Sequence, residues 1–226
     1  MITLLDTTLR DGEQTSGVSF AKQEKIAIAR LLLEDLRIDR IEIASARVSD
    51  GEFETVRKIA TWAEQNGYLQ QVEVLGFVDG TQSLEWVKNA GVKVMNLLCK
   101  GSQKHCTLQL GKKPEEHIAD ITALVQTATE WGIGINVYLE DWSNGMKNSP
   151  DYVFALVDAL RSLPIRRFML PDTLGVLNPT ETDQFCRQML QRYPELQFDF
   201  HPHNDYDLAV ANVYAAVGAG IQCVHV

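Results

Sequence analysis

Residues 116–141 read EHIADITALVQTATEWGIGINVYLED, and this stretch contains one repeating unit of the fold. Glu116–Trp131 predicts an amphipathic helix, since its apolar residues recur at the spacing of one helical face. Gly132 ends that helix, because glycine readily takes the left-handed conformation that closes a helical C-terminus. Gly134–Glu140 is then a short apolar run, typical of a buried strand, and it ends in the polar pair Glu140-Asp141.

The same unit recurs along the whole chain, with helices such as Lys22–Leu36 between short β-branched runs. Several runs, for example Val94–Leu98, are almost continuously apolar. Such runs are typical of parallel strands that are covered on both faces. The predicted strands are Ile2–Asp6, Arg40–Ala44, Gln71–Phe77, Lys93–Cys99, Gly134–Glu140, Arg167–Leu170, Gln197–His201 and Gln222–Val226.

Helix boundaries are also marked in the sequence. Asn178-Pro179 and Ser149-Pro150 each offer a capping side chain followed by proline at the first helical position. Gly91, Gly132 and Gly220 stand where a helix must end before the next strand. These signals support the alternation of strands and helices.

Eight strands alternating with seven helices predict an α/β protein, a (β/α)8 TIM barrel, as a single catalytic domain over residues 1–226. The first strand is not followed by a GxGxxG motif, which disfavours a Rossmann fold. The pattern stops at Val226, inside the eighth strand. We therefore expect a barrel truncated after that strand, as part of a longer polypeptide.

Composition excludes several classes of partner. The net charge of -9 gives no broad basic surface for nucleic acid or anionic lipid. No apolar run approaches the ~20 residues that cross a bilayer. The first residues lack the basic region of a signal peptide. The four cysteines lack disulfide or zinc spacing, which favours reduced thiols in a cytoplasmic protein.

His201 and His203 lie at the end of the seventh strand, and residues two apart on a strand point to the same side. A pair with this spacing is also common on protein surfaces. In barrels, however, functional groups gather at the carboxyl ends of the strands. Asp11, just after the first strand, supplies a carboxylate, so these three residues predict a divalent-metal site. Pro202 between the histidines requires that the strand ladder has already ended there.

Other polar residues at the same end are candidates for catalysis. Arg10 would stabilise a developing oxyanion, although a surface ion pair is the alternative. Glu140 would serve as a general acid-base group, and the alternative is an ion pair with a barrel arginine. Thr173 would hold a substrate carboxylate, and the alternative is a cap within its own turn. The remaining histidines, His105, His117 and His225, are expected to be structural or solvated.

Four motifs resemble those of the isopropylmalate, homocitrate and citramalate synthases: residues 5–14 (LDTTLRDGEQ), 138–141 (YLED), 170–175 (LPDTLG) and 201–212 (HPHNDYDLAVAN). The resemblance covers the whole chain and is closest to the citramalate synthases. It implies an acyltransferase that condenses acetyl-CoA with a 2-oxo acid.

In that resemblance, Asp11, His201 and His203 match the ligands of a divalent metal ion (Mn, Mg or Zn). Arg10, Glu140 and Thr173 match catalytic and substrate-binding positions. The family usually has glycine where this chain has Pro202. It also implies a further asparagine ligand from a loop after the eighth strand and, for the full-length protein, a homodimer.

Leu75, Leu98 and Tyr138 fall near the ends of three adjacent strands. They match residues that line the pyruvate pocket of citramalate synthases, although Leu75 would serve equally as barrel core. We therefore expect pyruvate as the substrate and citramalate as the product. The alternatives are 2-isopropylmalate synthesis from 2-oxoisovalerate, a lyase of the hydroxymethylglutaryl-CoA type, an iron oxygenase and a non-catalytic metal-binding module.

Overall fold

The computed structural model describes residues 2–226 and contains eight parallel strands in a closed barrel. Each strand pairs with the next along the chain, and the eighth returns to the first through Thr3 and Cys223. The strands are β1 (Thr3–Asp6), β2 (Arg40–Ser45), β3 (Val72–Phe77), β4 (Val94–Lys100), β5 (Gly134–Glu140), β6 (Ile165–Asp172), β7 (Phe198–Pro202) and β8 (Cys223–His225). The predicted barrel is confirmed, with strand ends displaced by two residues or fewer.

Helices surround the barrel and connect successive strands. They are α1 (Lys22–Arg30), α2 (Asp50–Asn66), α3 (Gln82–Asn89), α4 (Pro114–Glu130), α5 (Trp142–Asn148), α6 (Pro150–Leu160), α7 (Pro179–Arg192) and α8 (Ala209–Ala219). The prediction of seven helices was wrong in the described residues, because the β5–β6 connection contains both α5 and α6. The predicted helix Lys22–Leu36 is α1 followed by a wider helical turn over Leu31–Asp35.

Helix ends follow the sequence signals except at one position. The Asn178 side chain accepts from the Glu181 backbone N–H at 3.0 Å, as a capping residue does. Gly91, Gly132 and Gly220 all have positive φ angles. Ser149 does not cap α6, and its hydroxyl instead accepts from the Gln103 backbone N–H at 3.2 Å. This bond ties the loop after β4 to the junction of α5 and α6.

The barrel interior is polar near its amino-terminal end, which the expectation of strands that are apolar on both faces missed. Glu73 and Asp199 are almost fully buried there, and both pair with Arg40. Arg167 also reaches Asp199, at 3.2 Å. Alternate residues of β3 such as Val72 face the helices and form the apolar layer. Buried charges of this kind are tolerated only when each is paired.

Pro202 belongs to β7 and pairs in register with Asp172 of β6, so the expectation that the ladder had ended before it was wrong. The proline fits because the ladder bond at this point is donated by the His203 N–H to the Asp172 carbonyl, at 3.2 Å. On its other side, β7 pairs with β8 only through Asp199 and Phe200. The strand ladder therefore needs no donor at Pro202, and the absent N–H costs no hydrogen bond.

Two other expectations concern absent features. Within residues 2–226, no helix combines the length and apolar character needed to cross a membrane. All four cysteines (Cys99, Cys106, Cys186 and Cys223) are buried free thiols, as predicted.

Candidate metal centre

The carboxyl ends of the strands enclose a cavity of about 320 Å³. All nine residues predicted from the sequence line it, and Gln14, Ser45, Phe77 and Pro171 complete the wall. The nine are Arg10, Asp11, Leu75, Leu98, Tyr138, Glu140, Thr173, His201 and His203. They come from positions between residues 10 and 203, so only the closure of the barrel brings them together.

Asp11, His201 and His203 converge on one point at the edge of this cavity. The Nε2 atoms of the two histidines lie 3.3 Å apart. Asp11 Oδ2 lies 3.5 Å from Nε2 of His201 and 3.8 Å from Nε2 of His203. An ion bonded at about 2.0–2.2 Å to imidazole nitrogen and carboxylate oxygen allows ligand atoms up to ~4 Å apart. All three separations meet this limit.

The surroundings of His201 and Asp11 favour the metal-binding protonation states of these two side chains. Burial lowers the pKa of His201, although Asp11 opposes that effect. Burial also works against ionisation of Asp11, but the His201 hydrogen bond and the Arg10 charge outweigh it and hold the pKa of Asp11 below its usual range. A neutral imidazole and an ionised carboxylate are the forms that bind divalent cations. The donor set therefore fits a divalent ion.

Arg10 is a buried cation held in place by two carboxylates. Its NH1 donates to Asp11 Oδ1 at 2.6 Å, and its Nε donates to Glu42. Asn96 donates to the other oxygen of Glu42 at 2.7 Å. The alternative of a surface ion pair is wrong, since the Arg10 side chain is only 8% exposed. Glu42 was missed, although a charge between the apolar Ile41 and Ile43 was a visible signal of a residue facing the barrel interior.

Glu140 forms an ion pair with Lys100, not with an arginine. The partnership follows from strand register, because Lys100 and Glu140 are direct neighbours on β4 and β5. His117 on α4 holds β4 at Lys100, because its Nε2 accepts the Lys100 backbone N–H at 3.0 Å. Glu140 also lines the cavity.

Thr173 is held by a neighbouring loop and does not cap its own turn. Its hydroxyl oxygen accepts the Asp141 backbone N–H at 2.8 Å, which leaves the hydroxyl hydrogen available to a ligand. Asp141 itself has a φ of 66°, and its carboxylate accepts from Ser102 at 2.6 Å and from Asn144 at 2.8 Å. Gly175 has a φ of 58° and lies so close to Asp205 that a side chain would collide. These contacts fix the Thr173 loop beside the candidate metal ligands.

The apolar side of the cavity is formed by a small cluster inside the barrel. Leu75 and Tyr138 are 4% and 2% exposed and pack with Leu5 and Met169. Leu98 and Phe77 pack against this cluster while also lining the cavity. Leu75 thus belongs to the barrel core and also lines the cavity.

We predict that His117 makes the protein sensitive to mild acid. Burial, together with the Lys112 charge, lowers the pKa of His117 to about 4 from 6.5. Stability from the neutral imidazole is then complete above pH ~6.5 and is lost as the pH falls to about 4, because the unfolded chain takes up the proton first. His117→Gln keeps an acceptor for Lys100 without titrating. The free energy of unfolding, measured with urea at several pH values, should fall less steeply with decreasing pH in the variant. The difference in slope over this window is up to ~1.4 kcal/mol per pH unit. Parallel curves for the two proteins would contradict the assignment.

The family model described as HMGL-like matches residues 1–226. The chain belongs to the HMGL-like family. Its relatives include isopropylmalate, citramalate and homocitrate synthases, and so the resemblance inferred from the four motifs is confirmed.

Three relatives show how far the similarity extends. A probable 2-isopropylmalate synthase of Ignicoccus hospitalis is 32% identical over 225 residues, covering 100% of this chain and 54% of the relative. A putative (R)-citramalate synthase of Methanopyrus kandleri is 31% identical, with coverage of 100% and 43%. A homocitrate synthase of Sulfolobus acidocaldarius is 28% identical, with coverage of 98% and 46%. The HMGL-like chain spans about half the length of these proteins.

Solved structures of low sequence identity share the fold. Hydroxymethylglutaryl-CoA lyase from Pseudomonas aeruginosa superposes with a TM-score of 0.80 at 19% identity, over 99% of this chain and 75% of the lyase. The carboxyl transferase domain of Rhizobium etli pyruvate carboxylase gives a TM-score of 0.73 at 17% identity, over 99% and 39%. Identities this low support the barrel alone.

Proposed function

We propose that this barrel is the catalytic part of an acyltransferase that condenses acetyl-CoA with a 2-oxo acid in the manner of a Claisen reaction. The observation that carries the proposal is the single cavity lined by a divalent-metal donor set, a buried arginine, a threonine hydroxyl and a carboxylate. Isopropylmalate, citramalate and homocitrate synthases among the relatives support it. We further propose a cytoplasmic enzyme that is longer than this chain and dimeric.

The metal ion would be held by Asp11, His201 and His203. When bound, it would supply Lewis-acid polarisation of the 2-oxo acid. Arg10 then stabilises the negative charge that grows on the keto oxygen, since its guanidinium is fixed by Glu42 and Asp11 before any substrate arrives. Thr173 donates its free hydroxyl hydrogen to the substrate carboxylate and so fixes which face of the keto carbon is open to attack.

Glu140 is the candidate base that removes a proton from the acetyl methyl group. The electron pair left on that carbon forms the new carbon–carbon bond to C2 of the 2-oxo acid as the C2–O double bond becomes single. The keto oxygen takes up a proton, balanced by the one that Glu140 removed, and becomes a hydroxyl. Water then cleaves the thioester and releases CoA. Lys100 holds the Glu140 carboxylate at the cavity wall throughout.

The apolar wall favours pyruvate. Leu75, Leu98, Phe77 and Tyr138 leave the substrate side chain facing bulky groups on three adjacent strands. A methyl group fits such a wall better than the isopropyl group of 2-oxoisovalerate. A pocket of this kind distinguishes one methylene by only ~1–3 kcal/mol, so some use of 2-oxobutyrate is expected.

Leu98→Ala is predicted to shift the preference toward larger 2-oxo acids. Removing the side chain makes room at the wall. The affinity for 2-oxoisovalerate relative to pyruvate should therefore rise about 10–200-fold, the discrimination that a hydrophobic pocket shows for one methylene. The measurement is calorimetric titration of the Mn²⁺-loaded chain with each acid. Leu108→Ala is the matched control, since Leu108 is 77% exposed and outside the cavity. An unchanged ratio in Leu98→Ala would remove this wall from the specificity argument.

The proposed reaction is tested by measuring CoA release from acetyl-CoA with a panel of 2-oxo acids. Pyruvate should give the highest kcat/KM and citramalate as the product. A higher value for 2-oxoisovalerate would assign isopropylmalate synthesis instead. Cleavage of hydroxymethylglutaryl-CoA without any condensation would assign a lyase and overturn the proposal. Pyruvate binding by the Mn²⁺-loaded chain provides a second readout that does not depend on turnover.

A further inference from the structure

His225, which was expected from the sequence to be structural or solvated, lies directly behind the candidate metal ligand His201. It is 4% exposed at the end of β8. Its Nδ1 is 3.1 Å from Nδ1 of His201 and 3.0 Å from the Tyr138 hydroxyl. Its Nε2 is 3.4 Å from Oδ2 of Asp199. The ring therefore stands between the metal centre and the ionic network of the barrel interior.

When an ion is bound, one placement of protons satisfies the contacts of His201 and Asp199, and the Tyr138 hydroxyl, which faces the same Nδ1 of His225, must then share it as a second donor. Nε2 of His201 faces Asp11 and His203, so it must present a lone pair to the ion. The proton of His201 is then on Nδ1, where it points at Nδ1 of His225. That atom must accept, and the proton of His225 is consequently on Nε2, facing the Asp199 carboxylate. Metal-ligating histidines are commonly oriented by such a partner on the other ring nitrogen.

Asp199 is well placed to end this chain of contacts. It is fully buried, and its carboxylate also accepts from Arg40 and Arg167. Both arginines are anchored on the barrel strands, so the Asp199 carboxylate has little freedom to move. An acceptor that does not move fixes the orientation of the His225 ring, and the ring in turn offers a fixed acceptor to His201.

We propose that His225 is a positioning residue that, backed by Asp199, holds His201 in the tautomer and ring orientation that bind a divalent ion through Nε2. The proposal rests on the metal site of the proposed function but not on the identity of the substrates. The polar barrel interior then has a role too, since Arg40 and Asp199 stabilise the metal centre from the amino-terminal side of the barrel.

The first test measures Mn²⁺ affinity from the free-Mn²⁺ signal in electron paramagnetic resonance, without substrates. His225→Leu should weaken binding about 10–100-fold, the usual effect of losing such a partner. His225→Asn keeps an acceptor near the position of Nδ1 and should restore most of the affinity. His117→Asn is the matched control, because His117 is an equally buried imidazole outside the metal centre. Circular dichroism confirms that each variant is folded.

The second test needs no variant. Long-range ¹⁵N–¹H correlation spectra of the Zn²⁺-loaded chain report the tautomer of each histidine. The proposal predicts a neutral His225 with its proton on Nε2. A proton on Nδ1 of His225, or Mn²⁺ affinity in His225→Leu within about threefold of the native value, would overturn the positioning role. If the native chain itself fails to bind Mn²⁺, the metal site fails instead, so the two failures are distinguishable.

Discussion

Arg10→Gln is expected to reduce kcat/KM for condensation by about 10²–10³-fold, the usual loss when one oxyanion donor is removed. The guanidinium is 8% exposed and lies between Glu42 and Asp11, so it is fixed before the substrate binds. Affinity for pyruvate should fall about 10–100-fold in the Mn²⁺-loaded chain, since a hydrogen bond to a charged group contributes ~1.5–3 kcal/mol. Calorimetry measures the binding and CoA release measures the turnover.

The same substitution also leaves the buried Glu42 carboxylate without its cation and with only the Asn96 hydrogen bond, which is expected to cost about 3–5 kcal/mol of folding stability. Arg10→Gln/Glu42→Gln separates the two effects, because it removes the charge on both sides. Urea unfolding should show stability partly restored in the double variant, whereas pyruvate affinity stays low. If affinity recovers together with stability, Arg10 supports the fold and has no direct part in substrate binding.

His203→Ala is expected to weaken Mn²⁺ binding by more than ~100-fold, beyond the 10–100-fold effect of a residue that only orients a ligand. His203 is suited to this test because its side chain is 36% exposed, so its removal creates no cavity in the core. Mn²⁺ at 100 times its Kd should stabilise the native chain by ~2.7 kcal/mol, and this gain should be absent in the variant. Thermal unfolding with and without Mn²⁺ provides the measurement.

His105→Ala is the control for that experiment. His105 stands at the same end of the barrel but contacts Asp141 and none of the three predicted ligands. Its replacement should leave the Mn²⁺-induced stabilisation intact. Equal losses in both variants would mean that Mn²⁺ binds elsewhere on the acidic surface.

The sequence predicts the strands of this fold well because their signals are local. Gly134–Glu140 was predicted to the residue, since an apolar run bounded by glycine and an acidic pair carries its own limits. The polar interior was missed because it depends on contacts across the barrel. Arg40 and Asp199 are 159 positions apart, and the sequence around either residue does not indicate that the two form a pair.

The geometry of the candidate site was predictable where a single motif contains it. His201 and His203 are aligned by strand periodicity alone, and Asp11 follows a strand end. The partner of Glu140 was not predictable, because it is set by the register that places Lys100 beside it. His225 was missed for a related reason: a lone histidine in a three-residue strand has a role only through its neighbours on β5 and β7.

The central claim is that Asp11, His201 and His203 share one divalent ion at the mouth of the barrel. Crystals of the 226-residue chain grown with MnCl₂ and measured at the manganese absorption edge test it directly. The account predicts a single strong anomalous peak about 2.0–2.2 Å from Oδ2 of Asp11 and from Nε2 of both histidines. A fully occupied peak elsewhere, or no peak with the three side chains turned away from one another, would contradict it.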